Sequence, residues 1–193
     1  MKKQILKTCV AAALCLGGMS QALAVDVEAN GHNQLVVNSN VVQGACQFEA
    51  IPVVALNAST AAFSQVAGPG GLAVGLQDVT IRTSGCPLFS DAPNGAQLTI
   101  TGTRVGPNDN FFQLTSNAHG NPVVQDHAVS LTLNGVRVQP NQAIDLHDAN
   151  TRAAVAADNT ITLKAGLVKI ADANTAVQAA ASTANLVVGI AYP

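Results

Sequence analysis

Apolar residues in this chain recur at every second position, in short runs broken by Gly, Pro, Asn and Asp. Val79, Ile81 and Thr83 alternate into Cys86, and Leu98 and Ile100 alternate before Gly102. Val129, Leu131 and Leu133 alternate up to Asn134-Gly135, a two-residue hairpin signal, and Val136 and Val138 follow before Pro140-Asn141 ends them. Ile161 and Leu163 mark another strand, which Leu167 and Ile170 continue past Gly166 with a bulge. A period of two is that of a pleated strand with one face buried. Many such runs at close spacing, with no helical period, predict an all-β sandwich. Val53 to Leu56 is a further short apolar run. It leads into a Ser/Ala/Gly-rich connection through Gly68-Pro69-Gly70-Gly71, and Ala176 to Ala184 reads as a linker.

Two stretches at the ends of the chain carry the same alternation. In Leu35 to Cys46, LVVNSNVVQGAC, the residues Leu35, Val37 and Val41 share one face of an extended strand, with the small Ser39 between them. Gln34, Asn38 and Asn40 fall on the other face, interrupted by Val36 and Val42. Nothing nearby supplies a tight hairpin to fold this strand back, so it is expected to complete another molecule's sheet. Asn185 to Tyr192 is the last strand. Leu186, Val188, Ile190 and Tyr192 share one face of it, while Val187, Gly189 and Ala191 share the other.

The first 24 residues read as an export leader. Lys2, Lys3 and Lys7 form a basic head, Cys9 to Met19 is an apolar run too short to span a bilayer, and Ala22-Leu23-Ala24 is an A-x-A cleavage site. Removing 24 of the 193 residues leaves 169, enough for one domain with a sizeable core. Three of the nine Lys and Arg leave with the leader while all eleven Asp and Glu stay, so the mature net charge is −5. That balance excludes nucleic acid and anionic membrane surfaces as partners. Of the four cysteines, Cys46 and Cys86 remain. In an oxidising compartment they are expected to be joined, closing a loop of 41 residues. Closing a loop of that size destabilises the unfolded chain by ~4 kcal/mol in the chain-entropy model.

Catalytic and sugar-binding readings find little to stand on. The four histidines are His32, His119, His127 and His147, with Asp126 before His127 and Asp148 after His147. No H-x-H, H-E-x-x-H or G-x-S-x-G spacing occurs, and the histidines read as solvated loop residues rather than metal or triad members. A sugar-binding adhesin favours aromatic platforms, whereas this chain has one Tyr, five Phe and no Trp. Its one adjacent aromatic pair, Phe111-Phe112, is assigned to the core or a strand edge.

Taken together in their order and spacing, these features resemble the subunits of chaperone–usher pili, close to the type 1 pilin kind, over essentially the whole mature length. A leader is followed by about twenty extension residues and a cysteine, and the interval from Cys46 to Cys86 is 40 residues. V-x-I-x-T-x-x-C at residues 79–86 is similar to that family's strand into its second cysteine, with Thr83 where Leu is common. L-x-I-x-G-T at residues 98–103 is similar to its next strand, and Tyr192 stands second from the end. Ser39 and Ala180 stand where the family has Gly.

The resemblance implies an immunoglobulin-like β-sandwich lacking its last strand, completed by donor-strand exchange. Residues 1–24 would be the cleaved leader, 25–45 the donor extension and 46–193 the pilin domain. Leu35, Val37, Ser39 and Val41 would face the groove of a neighbouring subunit. Leu186, Val188, Ile190, Tyr192 and the terminal Pro193 would form the strand contacted by a periplasmic chaperone and then at an outer-membrane usher. The implied role is a structural subunit of an adhesive pilus at the cell surface, reached through the periplasm. Its partners would be other pilus subunits, with no catalysis, cofactor, metal or small-molecule substrate. A secreted sugar-binding adhesin and a minor pilus adaptor are the alternatives.

Overall fold

The structure, a computed structural model, describes residues 33–41, 47–51, 53–64, 70–86, 88, 95–106, 110–117, 120, 122–172, 174–178 and 181–191, with the side chains of 33 and 38–41 excepted. Residues 1–24, which the sequence reads as an export leader, lie outside the described residues. In chain order the elements are β1 (Asn33–Val41), β2 (Gln47–Phe48), β3 (Val54–Leu56), α1 (Thr60–Ser64), β4 (Val74–Ser84), β5 (Gln97–Thr101) and β6 (Thr115–Ser116). They continue with β7 (His127–Leu133), β8 (Val136–Val138), β9 (Ala143–Asp145), α2 (Ala149–Arg152), β10 (Thr160–Lys169) and β11 (Ser182–Ala191). The all-β expectation holds, since α1 and α2 are single helical turns within connections. Asp148 caps α2, its Oδ1 accepting from the Asn150 N–H at 2.8 Å.

The strands form two sheets. One runs β3-β1-β11-β5-β9, with β6 also on β11, and the other runs β2-β4-β10-β7-β8. Alternation along each strand sends one face into the space between the sheets. On β11 Leu186, Val188 and Ile190 are buried while Asn185 and Val187 are exposed. From the opposite sheet Val79, Ile81, Leu131, Leu133, Ile161 and Leu163 meet them in one apolar core. Such layered burial of alternate residues is what stabilises a sandwich.

Local chemistry fixes the register. Asn134 (φ 47°) and Gly135 (φ 82°) both take left-handed backbone, as a type I′ turn requires, and Leu133 pairs with Val136 across it. The pairing of β10 with β4 shifts between Ala165 and Leu167, which is the bulge expected at Gly166. A side chain at Gly166 would begin 2.8 Å from Leu76 Cδ2 and 2.9 Å from Ala73 Cβ, so close strand contact explains the glycine.

Phe111 and Phe112 are both buried, as assigned, but on opposite sides of the second sheet. Phe112 exchanges two backbone bonds of 2.9 Å with Val129 and points into the main core. Phe111 packs with Ala128 and Val168 in a smaller cluster on the outer face, with the Arg137 guanidinium 4.8 Å from its ring centroid. The linker assigned to Ala176–Ala184 is shorter than expected. Its last residues, Ser182 to Ala184, already belong to β11, because Ser182 and Ala184 are buried in phase with Leu186.

Candidate strand-insertion site

β1 occupies a slot in the first sheet between β3 and β11. It runs antiparallel to β3, from Asn33 opposite Leu56 to Leu35 opposite Val54. It runs parallel to β11 for its whole length, from Asn33 opposite Ser182 to Val41 opposite Ile190. Leu35 is fully buried and Val37 is 8% exposed, while Gln34 and Val36 are half-buried. The face read from the sequence is thus the inward one at these two positions. Ser39 and Val41 lie in the same strand, opposite Val188 and Ile190, but their side chains are outside the description.

In the single chain, then, this strand completes its own sheet, and Leu35 and Val37 join the chain's own core. Full burial of each such side chain stabilises by roughly 1.5–3 kcal/mol, and each ladder hydrogen bond adds about 0.5–1.5 kcal/mol net. Both contributions are offset by the entropy of ordering the strand.

The far wall of the slot is β11, whose other edge pairs with β5 through Val188 opposite Ile100 and Ile190 opposite Leu98. Its apolar face, Leu186, Val188 and Ile190, forms the floor beside β1. Tyr192 and Pro193 lie outside the described residues. Without β1, β11 and β3 would each present a row of unpaired backbone groups, which is the condition for strand addition.

Cys86 is buried at the end of β4, its Sγ 3.6 Å from the Ser84 carbonyl oxygen. Cys46 lies outside the described residues. Gln47, the residue after it, pairs with Ser84, so the chain re-enters the fold two residues from Cys86.

One sequence expectation is overturned. His127 is not a solvated loop residue: it opens β7 and is 1% exposed. Its Nδ1 stands 2.5 Å from Asp126 Oδ1, and the other carboxylate oxygen accepts from the Gln178 N–H at 2.6 Å. The Phe63 ring of α1 packs on the imidazole, with centroids 5.9 Å apart. The signal was present in the sequence, because His127 falls in phase with Val129, Leu131 and Leu133. His147 is half-buried against Gly95, and His32 and His119 lie outside the described residues. Among the described residues no three His, Cys, Asp or Glu side chains converge on a metal-binding position.

Comparison with solved structures gives the architecture a context. The crystal structure of the P pilus rod subunit PapA superposes with a TM-score of 0.55 at 18% identity, covering 80% of this chain and 95% of that one. A structure of a chaperone–usher pilus, addressing the molecular basis of rod uncoiling, superposes with a TM-score of 0.51 at 17% identity, covering 81% and 92%. No family model and no curated protein matches the sequence. The two-sheet immunoglobulin-like sandwich of this chain is the fold of chaperone–usher pilus rod subunits.

Proposed function

We propose that the mature chain is a structural subunit of a chaperone–usher pilus that polymerises by donor-strand exchange. In the assembled fibre, residues 25–45 of one subunit fill the slot between β3 and β11 of the next. The observation that carries this is the position of β1. The first strand of the described chain supplies the middle of a sheet, and residues 42–46 link it onward to β2.

Its direction supports exchange. In the single chain β1 runs parallel to β11 over its whole length, and a parallel ladder is the less stable per residue. A strand supplied by another subunit can enter antiparallel to β11 and gain the stronger ladder.

The remaining roles follow from the resemblance. A periplasmic chaperone lends a strand to the slot until the outer-membrane usher replaces it with a neighbour's extension, and the subunit ends in a surface fimbrium that supports adhesion. Cys46 and Cys86 form a disulfide that fixes the start of β2 against the end of β4. Leu186, Val188 and Ile190, with Tyr192 and Pro193 beyond them, make the strand on which each donor pairs. The chain acts through strand pairing rather than catalysis. The adhesin alternative loses its aromatic pair, since Phe111 and Phe112 are both buried.

A fluorescent peptide of residues 33–41, incubated with the full chain, is expected to enter the slot and co-elute with the protein. A peptide with Val37→Asp would place a carboxylate in the apolar slot and should not be captured, whereas Val36→Asp should be. Equal capture of both variants, or no capture of the native peptide, would refute the exchange mechanism.

A further inference from the structure

We propose that Asp126 and His127 clamp the two walls of the slot at the end where β1 begins, holding it in a strand-accepting shape while the donor is exchanged. This rests on the strand-exchange mechanism above. The slot's walls, β3 and β11, have no ladder with each other; β1 alone bridges them among the described strands. At Asn33 both walls meet their connections, because Leu56 ends β3 and Ser182 begins β11. Along the chain, α1 follows β3 and carries Phe63, and the segment preceding β11 carries Val177 and Gln178.

Both segments converge on one dyad from the opposite sheet. Phe63 rests on the His127 ring, and the Gln178 N–H donates to the Asp126 carboxylate. Val177, the residue before Gln178, is 8% exposed and belongs to the main core. The dyad itself is firmly mounted: the Asp126 carbonyl accepts from the Ile170 N–H at 3.0 Å and the Ala171 N–H at 3.2 Å, at the end of β10. One carboxylate thus orients the imidazole that supports one wall and directly holds the approach to the other. Hydrogen bonds to a carboxylate are the stronger kind, and the Asp126 side chain that accepts them is 14% exposed, with Gln178 itself at the surface. When β1 leaves, this clamp is what keeps the two walls at a strand's separation. Asp126 is a positioning residue: it touches neither β1 nor an incoming strand.

The test measures how long the full chain retains a captured fluorescent peptide of residues 33–41. Asp126→Ala removes both carboxylate contacts and should shorten the complex's lifetime about tenfold or more. Asp126→Asn should retain most of it, because its oxygen can accept from Gln178 and its amide can donate to the imidazole. Gln178→Pro, which removes the donating N–H and also fixes the backbone at 178, should shorten the lifetime as Asp126→Ala does. The midpoint of global unfolding in denaturant, taken on each variant, checks that the sandwich is intact. Lifetimes for Asp126→Ala and Gln178→Pro equal to that of the native chain would overturn the clamp while leaving strand exchange standing. Failure of the native chain to capture any peptide would overturn strand exchange and the clamp with it.

Discussion

Replacing Leu35 by alanine removes a side chain that is fully buried between the sheets, in a strand that belongs to the fold only by insertion. Leucine-to-alanine changes in cores destabilise by about 2–5 kcal/mol, the larger values where the site cannot collapse. The Leu35 site is walled by two sheets, yet on the proposed exchange mechanism β1 can leave. The measured loss is therefore capped by the free energy that holds β1 in its slot, since beyond that point the strand simply releases. A loss of about 3 kcal/mol would raise the population of the vacated slot more than a hundredfold. Val36→Ala, one residue away on the half-buried outer face, should change stability by less than about 0.5–1 kcal/mol. Hydrogen exchange separates the two outcomes. In Leu35→Ala the amides of β11 that face β1 should exchange faster, while those of β10 and β7 keep their protection. Uniform acceleration across both sheets would mean that β1 is an ordinary part of one cooperative unit. Equal effects from Leu35→Ala and Val36→Ala would mean that the inward face is misassigned.

Two other outcomes are expected. Non-reducing peptide mapping of the exported protein should recover a Cys46–Cys86 linked peptide, and replacing both cysteines by serine should destabilise the fold by up to ~4 kcal/mol in denaturant titrations. Gly135→Ala puts a side chain on a residue with φ 82°, and should lower stability by roughly 1–2 kcal/mol, measured by urea unfolding, with protection lost first in β8.

The parts of the fold that the sequence made legible are those set by local chemistry. Asn134-Gly135 announced its hairpin because few residue pairs tolerate two left-handed conformations in succession. Gly166 announced a bulge because a strand glycine usually marks close contact, here with Leu76 and Ala73. The alternation in Leu186, Val188 and Ile190 gave the inward face of β11 directly. Small residues concealed the start of that strand: Ser182 and Ala184 are in phase with Leu186, but neither is apolar enough to extend the pattern. His127 was misread for a related reason. Its polarity hid a position in step with Val129, Leu131 and Leu133, and its partners Asp126, Gln178 and Phe63 lie up to 115 residues apart in sequence. The destination of β1 was beyond the pattern altogether. Alternation tells which face of a strand is buried, and it is silent on whose sheet receives it. In the single chain the answer comes from tertiary pairing, which places β1 between β3 and β11 of its own sheet.

The central claim is that β1 must leave its own slot for the chain to assemble, and a covalent lock between β1 and β11 tests it most directly. Val36 and Asn185 are register partners on the outward face of the parallel pair. Neighbouring strands lie about 4.8 Å apart, within the Cα separation that a disulfide spans. The chain carrying Val36→Cys and Asn185→Cys, oxidised, is to be compared with the chain carrying Val36→Ser and Asn185→Ser, by light scattering and electron microscopy at equal concentration. The serine chain should assemble into fibres and the locked chain should remain monomeric. Fibres from the locked chain, formed as fast as those from the serine chain, would contradict donor-strand exchange as the basis of assembly.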